Sequence, residues 1–445
     1  MRSVVIATAL LIVSLLSDAQ EMKGFRYHDS LTYNLYMEGR WKDLTQAARE
    51  ALSEGHDFYY MRMRLGIAWY ERSFYAAAEK QFRKALEFNS EDPIATEYLF
   101  YCRLLSGEFP TASRILSLMT VEHRDRIIDE GRLAKNTVWL SFYFNDFDTE
   151  GIVSDPATFF DDYYPGTTTV GRLLTNPSIS MSHMISPGVY YTHSFNNITK
   201  QSLLHYYDGI RTINLTNHKV VQNQYYGSII VAGKNGFSFR PWLHLSLTIY
   251  DYIIAGGSMS PGFYTVTRGT SLHYSAGASI RKRSGYIALD GSAAVNRYGY
   301  GTVLQGEAGI VFYPLGNSRL YGGGRITGIL QPDGRFNEIK PAYTLSGGVS
   351  FPGIISFDIA AINGSLWNTS TGNGLYIFNS PDYFTRRFLI NLSVPLGGKS
   401  GVTLFAGGGL NSHNTARYTF DNKITSDQIA EYYSYNINGG ILWNF

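Results

Sequence analysis

The closing stretch of the chain, Tyr432 to Phe445, constrains the fold more than any other segment. Tyr433, Tyr435, Ile437, Ile441, Trp443 and Phe445 fall on one face of an extended strand, and Ser434, Asn436, Asn438, Gly440 and Asn444 fall on the other. That is a period of two, the side-chain repeat of a β-strand. A strand that is greasy on one face and small or polar on the other suits a barrel with lipid outside and a wet lumen inside. An ordinary half-buried strand shows the same alternation, so the rest of the chain has to decide.

The N-terminus reads as an export signal. Arg2 supplies the positive charge, Val4 to Leu16 an apolar run, and Ser17-Asp18-Ala19 a small-x-small cleavage site. This predicts residues 1–19 as a signal peptide and Gln20 as the first mature residue. A cysteine after that site would mark a lipoprotein, and none is there. The single cysteine, Cys102, has no partner for an internal disulfide and reads as a buried structural thiol. No later segment reads as a transmembrane helix. The 38 Lys and Arg nearly balance the 36 Asp and Glu, which argues against a nucleic-acid binder. Tyr (34), Phe (26) and Gly (45) are abundant while charged residues are only 17%, a balance that fits strands facing lipid better than a soluble domain.

From about Ser30 to about Arg124 the apolar period is helical. Leu65, Gly66, Trp69, Ala78, Phe82 and Ala85, followed by Asp92-Pro93, resemble a tetratricopeptide (TPR) repeat. In such a unit Gly66 and Ala78 are small where two antiparallel helices cross. Trp69 and Phe82 fill the space between helices, and Ala85 lets the next pair stack. A step of about 34 residues places Ala112 and Leu116 forward, and Leu31 and Ala51 backward, at equivalent positions. The resemblance implies a helical solenoid over residues 20–135 that binds a polypeptide, either a periplasmic partner or a client, rather than doing chemistry. Arg62, Arg64, Arg72, Arg83 and Lys84 make this region locally basic; a solvated helix face is the plainer account, an acidic partner the alternative.

From Asn136 onward the period is two, and about fourteen strands are expected between residues 136 and 445. Ser186-Pro187-Gly188, Lys234-Asn235-Gly236, Arg283-Ser284-Gly285, Leu315-Gly316-Asn317 and Gly397-Gly398-Lys399 are tight-turn chemistry. They alternate with longer links at Asp148–Asn176, Ile198–Val220, Tyr252–Thr267, Asn368–Tyr383 and Ser412–Glu431. Short turns on one side and long links on the other are the asymmetry of an outer-membrane barrel, with the short turns and the helical domain in the periplasm. The expected fold is therefore a multidomain α + β chain: a TPR-like α-helical solenoid, then a transmembrane antiparallel β-barrel in contact with outer-membrane lipid.

No catalytic constellation emerges, and an enzyme is not expected. His244 with Ser246, and His273 with Ser275, share strand faces, but such pairs arise readily in a Ser-rich lumen. No His-x-Glu motif or cysteine cluster points to a metal, no glycine-rich phosphate loop opens a helix, and no cofactor is implied. Arg281, Asp290, Glu307, Arg325, Asp358 and Arg387 fall on the face opposite the apolar one. They either pair across the lumen and plug it or line a narrow polar channel. The link Asp148–Asn176 carries Phe159-Phe160-Asp161-Asp162-Tyr163-Tyr164-Pro165-Gly166, which either folds into the barrel mouth or presents an aromatic surface outside.

Trp443 and the terminal Phe445 resemble the C-terminal assembly signal of bacterial outer-membrane barrels. In layout, the Leu65-to-Ala85 repeat pattern followed by a barrel ending on Phe445 resembles the surface lipoprotein assembly modulators (Slam proteins), and also the larger YaiO-type barrels. The first resemblance implies assistance to protein translocation or assembly at the surface of a Gram-negative cell. The alternative is a passive pore or a structural anchor docked to periplasmic machinery through the helices. Neither family lends this chain functional residues.

Overall fold

The computed structural model describes residues 24–130, 133–160, 164–255, 263–299, 301–331, 339–397, 401–420 and 424–445. The expected signal peptide lies outside the described residues. Two compact units meet between Ser106 and Gly107.

The first unit holds five helices: α1 (Phe25–Met37), α2 (Trp41–Ser53), α3 (Tyr59–Glu71), α4 (Tyr75–Phe88) and α5 (Pro93–Leu105). Each packs on the next. Alanines make this possible: Ala48, Ala51, Ala68, Ala78 and Ala85 are all fully buried. The α3–α4 crossing is the closest. A Cβ at Gly66 would stand 2.7 Å from the Phe82 ring, so only glycine fits there. Trp69 packs half-buried against the cluster that contains Leu65. Helix α5 starts where Asp92 accepts the Ala95 amide at 2.6 Å, with Pro93 in the first turn. The basic residues are occupied: Arg62 with Asp57, Arg64 with Asp29, Arg83 with Glu79, Lys84 with Glu87, and Arg72 over the Trp69 ring. Cys102 is buried, and that burial pushes its thiol well above the ordinary range, which makes it unreactive.

The second unit opens with α6 (Phe109–Leu116) and α7 (Val121–Asp129). The sequence boundary near Lys135 marks the change of period, whereas the compact units divide at Ser106. Strands follow at β1 (Asn136–Phe147), β2 (Gly166–Ser186), β3 (Val189–Tyr207), β4 (Thr212–Ala232), β5 (Phe237–Ala255), β6 (Tyr264–Ser284), β7 (Ile287–Tyr298), β8 (Gly301–Phe312), β9 (Leu320–Leu330), β10 (Lys340–Phe351) and β11 (Ile355–Leu366). After a short hairpin of β12 (Thr369–Thr371) and β13 (Tyr376–Phe378) come β14 (Asp382–Pro395), β15 (Val402–Tyr418) and β16 (Ile424–Asn444). All but β12 and β13 join one closed antiparallel barrel, fourteen strands in chain order, as the sequence predicts.

Closure satisfies every strand edge, which a chain in lipid requires. The seam runs between β1 and β16, from Thr137 opposite Asn444 to Phe147 opposite Ser434. At its foot the Phe445 amide donates to Asn136 O at 3.0 Å, and the Asn136 amide donates back to Phe445 O at 2.9 Å. Leu140, Phe142, Leu243, Leu272, Ile280 and Ile437 are among the many large apolar side chains exposed on the outer wall. Their strand neighbours Asn145, His244, Ser246, His273, Ser275 and Asn436 are buried inward. No soluble surface keeps so continuous an apolar belt, so the barrel is membrane-spanning. Among the described residues no helix is long and apolar enough to cross a membrane; the strands do it.

The two ends differ. At the turn end, strands are joined tightly; Asn235 and Gly236 take φ of 57° and 76°, the left-handed geometry that the Asn-Gly pair tolerates. At the opposite, loop end the expectation of long links is corrected. The Ile198–Val220 link is mostly strand: β3 runs on to Tyr207 and β4 begins at Thr212. Much of the Asp148–Asn176, Tyr252–Thr267 and Ser412–Glu431 links is likewise strand, in β2, β5, β6, β15 and β16. Strands of 21 residues, such as β2 and β4, are about twice what the hydrocarbon layer needs. Beyond the apolar belt the outer face no longer has to be greasy, so the alternation fades while the hydrogen-bonded ladder continues.

The seam is testable. Trp443 stands opposite Val138 on one side and Val402 on the other, and its ring lies tilted against that of Phe445 with centroids 4.5 Å apart. Changing both Trp443 and Phe445 to Ser removes two apolar anchors of the closing strand. The expected result is a several-fold loss of heat-modifiable, folded barrel on gels; an unchanged folded fraction would remove the special role of this terminus.

Candidate functional site

The lumen is filled by the barrel's own chain. The segment between β11 and β14 turns inward, pairs Thr369 with Phe378 and Thr371 with Tyr376, and reverses through Gly372, Asn373 and Gly374, all at positive φ. Its sequence, Thr-Ser-Thr-Gly-Asn-Gly, is turn chemistry with small residues. The tip rests on Trp242, and a Cβ on Gly374 would stand 2.1 Å from the indole ring. Leu375 packs against Tyr226, Trp242 and Ala294.

Wall residues of five strands hold this plug. His244 Nδ1 donates to Gly374 O at 2.7 Å, and Tyr226 donates to Asn373 O at 3.0 Å. Gln305 donates to Ser370 O at 2.6 Å and accepts the Ser370 amide at 3.0 Å. Ser275 donates to the Ser370 hydroxyl at 3.2 Å. At the plug's other end Lys200 Nζ reaches Ser380 Oγ at 2.5 Å and forms an ion pair with Asp382. Lys200 and Asp382 are 8% and 1% exposed, so each charge depends on the other. Tyr432 also donates to Asp382, at 2.8 Å. Removing one partner of such a pair typically costs about 3–5 kcal/mol, because the other charge stays buried.

The loop end is closed as well. The tops of β2 and β15 pair directly, Thr168 with Arg417 and Thr167 with Tyr418. Beneath them, Phe147, Ile152, Phe160, Val170, Leu203 and Tyr432 form an apolar cluster. Ile152 comes from α8 (Glu150–Ser154), and Phe160 follows α9 (Pro156–Phe159) and stacks on His205 at 4.6 Å. The Asp148–Asn176 segment thus folds inward; its Asp161 to Tyr163 lie outside the described residues.

The six charges marked in the sequence do not form one site. Arg325 donates to Asp290 at 2.6 Å and to Glu307 at 3.3 Å, linking β7, β8 and β9. Asp358 accepts from Tyr321 at 2.5 Å. Arg281 bonds Tyr313 at 2.9 Å and Glu108 at 3.2 Å, just ahead of α6 at the turn end. Arg387 lies over Phe384 and Phe378, beside the plug. His244 and Ser275 turn out to grip the plug, while His273 bonds Ser271 rather than Ser275. Lys200, Asp382, Gln305 and Trp242 went unmarked in the sequence; the one available signal was a glycine-rich turn in the middle of a long link.

No family model and no curated protein matches the chain. Solved structures similar in fold include a Pseudomonas aeruginosa FadL homologue (TM-score 0.42, 8% identity, 77% of this chain and 94% of that one). They also include the P. putida toluene transporter TodX (TM-score 0.41, 9% identity, 77% and 94%). A third is the translocator domain of the autotransporter NalP from Neisseria meningitidis (TM-score 0.35, 10% identity, 73% and 94%). At these identities the likeness is one of fold.

Between plug and wall the lumen retains a cavity of about 990 Å³, at the upper end of small-ligand pockets. Tyr143, Asn145, Gln222, Tyr376 and Phe378 contribute to its lining, together with the charged Lys200, Asp382 and Arg387. The architecture is therefore a barrel shut by an internal hairpin, with a cavity beside it.

Proposed function

We propose that this protein is an outer-membrane barrel, closed at rest, that assists the passage or assembly of a polypeptide at the surface of a Gram-negative cell. In this reading the turn end faces the periplasm. The helical unit, TPR-like in its Leu65, Gly66, Trp69, Ala78, Phe82 and Ala85 packing, takes hold of a partner or client polypeptide there. The observation that supports it is the plug. It is held by hydrogen bonds to Tyr226, His244, Ser275 and Gln305 and by Leu375 against Tyr226, Trp242 and Ala294, all through one short segment, so it is suited to displacement as a single piece. A passive pore would leave the lumen open, and a mere anchor would gain nothing from a displaceable hairpin.

Tyr33 and Tyr60 are exposed on the helical unit, and Arg64 lies over both rings. Aromatic and Arg side chains of this kind are the residues that anchor protein interfaces. A photo-crosslinking amino acid at Tyr60, and separately at Tyr33, is expected to yield discrete adducts with a periplasmic or exported polypeptide. If both positions stay free of adducts in folded protein, the pore-or-anchor reading takes precedence.

A further inference from the structure

We infer that His28, Glu54 and His56 form a site for a divalent transition-metal ion, and we assign it to Zn²⁺. The three side chains come from different places. His28 is in the first turn of α1, Glu54 is the C-cap of α2, and His56 lies in the link to α3. One ligand atom from each falls within 4.8 Å of the other two. Two imidazoles and a carboxylate are a ligand set that zinc takes, with a further position open.

The geometry is close to what an ion needs. Ligand atoms about 2.0–2.1 Å from a tetrahedral zinc stand roughly 3.3 Å apart. His28 Nε2 and Glu54 Oε2 are 2.7 Å apart, sharing a proton that a cation would replace. They need to separate by about half an ångström, and the widest pair needs to close by about 1.5 Å. Glu54, 37% exposed, can shift its carboxylate, while the His28 ring is fixed by burial at 2% exposure. The two imidazoles already lie side by side, with ring centroids 4.9 Å apart.

His28 is buried and turns Nε2 to Glu54, which places that nitrogen at the site before any ion arrives. The linear sequence hides the site, because His28 and the Glu54-Gly55-His56 pair meet only when α1 packs against α2. Metal binding would clamp the first helix of the unit to the α2–α3 link.

The test uses the full-length protein in detergent, stripped with EDTA and titrated with Zn²⁺ against a chromogenic chelator. One equivalent is expected to bind. Glu54→Gln, at the surface, and His56→Ala, half-buried in a link, should each weaken binding at least tenfold while leaving circular dichroism unchanged. Zn²⁺ should protect α1 from protease in the parent protein but not in the His56→Ala variant. Failure to compete for zinc, or undiminished affinity in both variants, overturns the assignment. So does loss of the bound equivalent in a His183→Ala/His193→Ala variant, since those two barrel imidazoles face each other at 3.3 Å and are the main rival site.

Discussion

Deleting residues 369–380 is expected to turn a silent barrel into a conducting one. Strands about 4.8 Å apart, tilted about 40°, make a fourteen-strand wall roughly 28 Å across between backbones. Inward side chains occupy several ångströms on each side. What remains is about the width of a two-stranded hairpin, so the hairpin is the seal. Its contacts with Tyr226, His244, Ser275 and Gln305 are all made through segment 369–380, so the deletion releases them together. In planar bilayers the parent protein should show no steady current and the deletion variant stable channels. Lys200→Met, which strands the Asp382 carboxylate, should give an intermediate result of transient openings. If the deletion variant stays silent, the β2–β15 bridge and the Phe147 cluster are the true barrier, and the hairpin is filler.

Why the strands were legible and the plug was not follows from where each segment's partners lie. A lipid-facing strand has one apolar neighbour everywhere, the bilayer, so its alternation is written locally: Leu272, Tyr274, Ala276 and Ile280 against His273, Ser275 and Ser279 can be read without knowing the fold. Tight turns such as Asn235-Gly236 are equally local. Above the bilayer that constraint is gone, and Leu203 to Tyr207 or Thr415 to Tyr418 are strands only because a neighbour supplies the ladder. The plug is the extreme case. Nothing in Thr369 to Gly374 distinguishes an inward hairpin from an outward loop, and its partner Trp242 is far away in the sequence. Lys200 and Asp382, separated by 182 positions, meet only because the barrel closes. The marked charges Asp290, Glu307 and Arg325 come together because they sit on consecutive strands, where adjacency follows from chain order.

Ala78→Arg is expected to unfold the helical unit and leave the barrel intact. Ala78 is fully buried on α4, the helix that brings Phe82 against Gly66. Ala78 has no exposed surface at all, so a guanidinium there finds no room at the crossing. Burying an unpaired charge and overpacking a core are both in the class of changes that exceed about 4 kcal/mol. A helical unit of roughly 80 residues holds about 4–12 kcal/mol in all, so this single change removes most or all of its margin. The barrel is independent of it, because closure depends on Asn136 bonding Phe445 and on the ladder between β1 and β16. Limited proteolysis of the full-length variant should therefore digest residues before Gly107 rapidly, while the barrel fragment keeps its heat-modifiable migration. Crosslinks from Tyr60 should vanish with the helices. Arg83→Ala, which removes an exposed partner of Glu79, is the control and should change stability by no more than about 0.5 kcal/mol. An Ala78→Arg protein whose helical unit resists protease as well as the parent would mean that the crossing opens readily, and that the unit is not held by the small-residue packing described above.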